Sequence, residues 1–177
     1  MGFFSNIFKK DDPLKTDGRR LYNKLMAQSR QTRFYGEGRF PDTYDGRVDV
    51  LTLHIAPVLT VLNTHGIDGE KLNQALFDEM KDDFEVALRE EALSDAGVKK
   101  RITPMISLFY DRVRSYSKIL HDGGDETAMQ VVLRESLPDG DSEFVTGLSE
   151  YVLGVQTDLT KLRLGQIALT DFSFPVI

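Results

Sequence analysis

Apolar residues recur every three or four positions along most of this chain, the spacing that lines one face of an α-helix. Leu21, Leu25 and Met26, joined by Tyr22, share a face within a helix predicted over 17–30, while Arg19, Arg20, Lys24 and Arg30 lie largely elsewhere. Gly36, Gly38, Pro41 and Gly46 then interrupt the pattern, so 34–46 reads as a loop. From Arg47 to His65 the chain is strongly apolar, with Val48, Leu51, Ile55, Val58, Leu59 and Leu62 in helical register. Val48 and Val50 could also begin a strand, and Pro57 must bend or break a helix. The longer period favours a kinked helix closed by Gly66 as its C-terminal cap.

A third helix is predicted from Gly69 to Glu91, capped by Asp68, with Leu72, Leu76, Met80, Phe84, Ala87 and Leu88 as its stripe. The fourth, Val98 to Leu120, has the cleanest pattern: Val98, Ile102, Met105, Phe109, Val113, Tyr116 and Leu120. Pro104 is accommodated if Thr103 is the N-cap and 96–102 a separate turn. Two more helices follow, 126–137 and 143–161, capped by Asp125 and Ser142, and 165–177 reads as an extended packed tail. Six helices with short loops predict an all-α domain over 13–177, preceded by an arm over 1–12.

Composition narrows the classes. The 177 residues suit one domain and contain no cysteine, which removes disulfides, thiolate metal sites and thiol nucleophiles. The net charge of −6 argues against direct nucleic-acid binding. The most apolar run, Val48 to Leu62, contains Asp49, His54 and Pro57 and is shorter than the about 20 residues a spanning helix needs. Lys9-Lys10-Asp11-Asp12 follows too short an apolar patch for a secretory signal. A cytoplasmic protein is expected, with a peripheral site on the membrane surface as the one elaboration. In the arm, Phe3, Phe4, Ile7 and Phe8 fall on one side of a helix and are followed by two lysines, which suits an interfacial anchor, aromatics docked on the domain's own core, or a disordered end.

The chemistry of an active site is missing. His54, His65 and His121 lack the spacing of a helical zinc hydrolase. Gly36-Glu37-Gly38 is followed by Arg39-Phe40-Pro41 and fits no phosphate loop. The segment 42–49 resembles a calcium loop only until Pro41 falls at its first ligand position. It reads better as a turn shaped by Pro41 and Gly46, with Asp45 as helix cap and Arg47 paired with Asp42 or Asp49. Asp78, Asp82 and Asp83 have no Glu-x-x-His partner and read as a solvated acidic face. No catalytic set, metal or cofactor is expected. Charge is nonetheless segregated: 68–91 has nine acids and three bases, and 97–118 six bases and one acid. The two can pair across a hairpin, or Lys99, Lys100 and Arg101 can face a partner.

An ordered series of short motifs carries a resemblance. Leu21-Tyr22, Ala27-Gln28-Ser29-Arg30, Phe34-Tyr35, Pro41-Asp42-Thr43-x-Asp45-Gly46-Arg47-Val48-Asp49, Ala75-Leu76-Phe77-Asp78-x-Met80, Leu88-Arg89-Glu90, Gly97-Val98-x-Lys100-Arg101 and Phe109-Tyr110-x-Arg112 follow one another. Over 17–120 the chain resembles the ubiquinol–cytochrome c chaperone family. The resemblance implies an all-α, non-enzymatic assembly factor for the respiratory ubiquinol–cytochrome c reductase, whose client is cytochrome b or its nascent chain. Mitochondrial members act with a small partner protein near the ribosome exit. Without a transit-type presequence, the resemblance implies a bacterial form on the cytoplasmic face of the inner membrane. The client contacts expected here are Phe34, Tyr35, Phe40, Asp42, Tyr44, Asp45 and Arg47 on the loop, with Lys99, Lys100 and Arg101 as a second patch; the loop aromatics can equally lid the domain's own core. A lipid- or small-molecule-binding helical module is the alternative.

Overall fold

A computed structural model describes residues 12–90 and 94–177. The first helix starts earlier than its apolar stripe suggests. The Asp12 side chain accepts a hydrogen bond from the Leu14 amide (3.1 Å) and Pro13 occupies the first helical position, so α1 spans Pro13–Ser29. Asp12 therefore belongs to the helix rather than to the arm. After a 3₁₀ turn at Thr32–Phe34 and the loop, α2 spans Tyr44–Leu62. Its N-cap is Thr43, whose hydroxyl accepts from the Gly46 amide (3.2 Å); Asp45, expected as the cap, stands in the first turn.

Pro57 lies inside α2 without ending it. A 3₁₀ turn, Asn63–His65, leads directly into α3, Gly66–Glu90. Gly66 is the C-cap of this run, as expected, and also the joint to α3: its φ of +62° and ψ of −151° redirect the chain in a conformation open mainly to glycine. Asp68 consequently falls in the first turn of α3 instead of capping it. The run Tyr44–Glu90 is long and apolar enough by length and composition to cross a membrane, with mean hydropathy 1.4 in its most apolar stretch, but 67% of that stretch is buried in the domain. Nearly every residue of α2 from Val48 to Leu62 is buried, apolar on all sides as befits a central helix.

The fourth helix corrects the sequence reading most. It is one element, α4, spanning Asp95–His121, with Ser94 as its N-cap and Pro104 inside. The proline is exposed, so the Lys100 carbonyl it leaves without an amide donor can turn to water. Thr103 is an interior residue whose hydroxyl donates to the Lys99 carbonyl (3.3 Å). Then come α5 (Glu126–Ser136, capped by Asp125) and α6 (Ser142–Leu159, capped by Asp141, one residue before the expected Ser142). The tail is not wholly extended: Leu164–Ala168 forms a short α7, after which Phe172, Phe174 and Ile177 pack on the core.

The order of packing follows the stripes. Leu72, Leu76, Met80, Phe84 and Leu88 of α3 are all buried, each worth about 1.5–3 kcal/mol of apolar transfer. α1 lies along α3, α2 along α4, and α6 closes the core against α2 and α5. The close crossing of α1 and α3 requires Gly18, where a Cβ would meet backbone atoms of Ala75 at 2.8 Å. Charges follow the packing. Arg19 of α1 pairs with Glu79 of α3 (3.0 Å), and Arg112 of α4 lies between Asp49 of α2 (3.5 Å) and Glu135 of α5 (3.2 Å). Burial raises the Asp49 carboxyl above the ordinary range, and Arg112 opposes that shift. These pairs tie the acidic α3 to α1 and the basic α4 to α2 and α5.

Candidate functional site

The loop between α1 and α2 is built from its aromatic residues. Phe34 and Phe40 are fully buried, and their backbones pair: the Phe40 amide donates to the Phe34 carbonyl and the Gly36 amide to the Phe40 carbonyl, both at 3.1 Å. Phe40 packs edge-on against Phe144 of α6, and the Asp141 amide donates to the Gly38 carbonyl (2.8 Å). The loop is thereby pinned to the start of α6. Its exit is fixed by Gly46, where a Cβ would lie 2.1 Å from the Pro41 carbonyl oxygen. The Asp42–Arg47 pair closes over this turn at 2.7 Å, and the guanidinium holds the Asp42 carboxyl below its usual range.

Two solvent-open clefts flank that turn. One, about 330 Å³, lies between α1, α2 and α3 on an apolar floor of Met26, Val48, Leu51, Phe84 and Ala87. Arg30 and Arg47 stand on its rim with Asp83 and Glu90. Asp83 accepts a hydrogen bond from the Tyr22 hydroxyl (2.7 Å); burial, reinforced by that carboxylate, pushes the phenol far up. The other cleft, about 450 Å³, is lined by Thr32, Tyr35, Gly36 and Asp42, and shares Arg30 and Arg47 with the first. Tyr35 is half-buried, donates to the Ser29 carbonyl (2.7 Å), and is pushed up to about 12, chiefly by burial. The result is a concave, partly apolar surface with a cationic centre.

The residues expected at a partner surface divide. Tyr35, Asp42, Tyr44 and Arg47 line these clefts, and Asp45 is exposed beside them. Phe34 and Phe40 are both buried as plugs of the domain's own core and line neither cleft. Lys99, Lys100 and Arg101 are exposed on the first turns of α4 and line neither cleft. Phe3, Phe4, Ile7 and Phe8 lie outside the described residues. Among the described residues, no group of three or more His, Asp or Glu is placed to hold a metal ion.

Beneath the loop runs a buried polar chain that the sequence did not disclose. His54 Nδ1 is 2.7 Å from the Val50 carbonyl, which can only accept, so Nδ1 carries the proton. Nε2 then accepts from the Tyr151 hydroxyl (2.8 Å), whose oxygen accepts from Gln28 (2.9 Å), and Gln28 accepts from Gln31 (2.6 Å). Every link has one donor and one acceptor. Phe34 covers the chain, its ring edge-on to His54 (5.0 Å) and near Tyr151 (5.7 Å). Burial pushes His54 down to about 4, keeping the imidazole neutral, and both ring nitrogens are engaged, so neither faces a haem or metal in this conformation. A lone histidine inside the apolar run 48–62 was the available signal; its partner, 97 residues away, was not readable.

The profile described as ubiquinol-cytochrome C chaperone matches residues 37–174, most of the chain and all of the loop exit and α2–α6. The chain belongs to the ubiquinol–cytochrome c chaperone family. Its fold matches the crystal structure of the Cbp3 homolog from Brucella abortus at a TM-score of 0.79 and 30% identity, over 95% of this chain and 93% of that one. Curated protein sequences gave no match. The family match runs on to residue 174, beyond the 17–120 span of the motif series, and so takes in α5 and α6. Membership in the ubiquinol–cytochrome c chaperone family implies a non-enzymatic assembly role.

Proposed function

We propose that this chaperone binds newly made cytochrome b during assembly of the ubiquinol–cytochrome c reductase, and that it does so at the clefts around the Pro41–Asp49 turn. The observation that carries the reading is the apolar-floored cleft between α1, α2 and α3, set beside the turn whose motif belongs to the family match. A client segment awaiting its place in lipid needs an apolar surface with a few polar anchors, and a groove between helices supplies one. Tyr35, Asp42 and the shared Arg30–Arg47 rim give that surface polar contacts, and the Tyr44 ring adds to its wall. The protein works on this reading at the cytoplasmic face of a bacterial inner membrane. The alternative, a small-molecule or lipid carrier, calls for a deep enclosed cavity, whereas the clefts at the loop are open to solvent.

Deleting the gene tests the proposal. Assembled reductase and its cytochrome b are expected to disappear while cytochrome b message stays at its normal level. Unchanged reductase in the deletion strain would rule the function out.

A further inference from the structure

We infer that the outward strip of α4 is an electrostatic docking face for an anionic lipid surface. Lys100, Arg114 and Lys118 are all exposed, and helical geometry places them within about 40° of one line along the axis. Between them stand Thr103, Pro104, Ser107 and Asp111, the strip's one acid. From Lys100 to Lys118 the strip is about 27 Å long. None of the three cations has a hydrogen-bond or ion-pair partner among the described residues, whereas Arg112, on the inner side of the same helix, is held by Asp49 and Glu135. The helix thus turns Arg112 to the core and these three cations outward along one line. Leu108 and Tyr110, 38% and 48% exposed, flank the strip on either side.

Charge complementarity selects the occupant. The whole chain carries −6, so a cationic strip on an anionic body makes a strong dipole, which a flat anionic sheet orients and a surrounding polyanion repels. Nucleic-acid binding wants a cradle of basic groups, and this strip is one helix wide. A protein partner wants a desolvated anchor pocket at the centre of its contact; here the centre is long cations spaced by small polar residues. A laterally fluid layer of anionic headgroups meets those cations without a fixed register, and at the margins the amphipathic Tyr110 suits the headgroup level while Leu108 adds an apolar contact. The inference does not rest on cytochrome b being the client.

The test is flotation of the full chain with vesicles of phosphatidylglycerol and phosphatidylcholine, and with phosphatidylcholine alone. Binding is expected to the mixed vesicles, absent on the neutral ones, and lost as salt rises. The triple variant Lys100→Gln/Arg114→Gln/Lys118→Gln is expected to partition about a hundredfold more weakly, since each cation near such a surface contributes about fivefold. Far-ultraviolet circular dichroism checks its fold; should it not fold, Lys100→Gln and Lys118→Gln are read singly, each at about fivefold. The inference is overturned if these variants bind like the parent, or if neutral vesicles bind equally well. It is also overturned if only Phe3→Ser/Phe4→Ser abolishes binding, which would assign membrane contact to the arm. Retention of RNA or an acidic protein through the strip, without vesicle binding, overturns it too.

Discussion

Phe34→Ala is expected to lower folding stability by about 3–5 kcal/mol, a large part of the roughly 5–15 kcal/mol that holds a domain together. The ring is fully buried and edge-on to both His54 and Tyr151, so truncation leaves a cavity and opens the polar chain to water. Opening matters beyond the lost contact area. The bonds from Gln28 through Tyr151 to His54 are strong because their surroundings are apolar, and half-satisfied buried groups are costly. A melting temperature lower by roughly 10 °C is expected. Tyr35→Ala, one residue along, removes a half-buried ring and one bond to the Ser29 carbonyl and should cost far less. Equal melting temperatures for the two variants would mean that Phe34 is not the plug described here.

Acidification is expected to weaken the fold by on the order of 3 kcal/mol through His54. In the unfolded chain the imidazole takes a proton below its ordinary value of 6.5; in the folded protein burial holds it off until about 4. The unfolded state therefore binds more protons across that interval. Stability is complete above 6.5, declines as pH falls towards 4, and has lost this whole contribution below it. Burial drives the shift; the Val50 carbonyl opposes it and the nearby Arg33 charge adds to it. Asp49 acts with the opposite sign, because its raised carboxyl is protonated first in the folded state, so the net curve is shallower than His54 alone would give. Urea denaturation at a series of pH values, in the parent and in His54→Asn, separates the two. The parent is expected to lose more stability than the variant between pH 6.5 and 4; parallel curves would show that His54 is not held neutral.

How far these features could be read in advance depends on whether one local segment determines them. The stripe of α3 was legible because Leu72, Leu76, Met80, Phe84 and Leu88 face the core from one element with one period. The Asp42–Arg47 pair was legible for a similar reason, five residues apart across a turn that Pro41 and Gly46 compel. Pro104 misled because a proline's effect depends on which face it occupies; an exposed face lets the helix continue, and no local rule states the exposure. The cap of α2 went to Thr43 rather than Asp45 by a two-residue shift that propensity does not resolve. The loop aromatics were readable either way, as partner contacts or as a lid on the core. Phe34 and Phe40 beside glycines look available for a partner, and their burial is decided by α2 and α6, far along the chain. The same distance hid the His54–Tyr151 bond. Tyr35 and Tyr44, whose rings line the clefts, are aromatic like the buried Phe34 and Phe40, so only the fold could sort them.

The most direct test of the client site is photocrosslinking in respiring cells, with Tyr35 replaced by a photoreactive phenylalanine analogue and the same replacement at Thr157, exposed on α6, as the reference. The account predicts cytochrome b in the crosslinked band from position 35 and little from position 157. Equal cytochrome b at both positions, or none at position 35 in cells that still assemble the reductase, would contradict it.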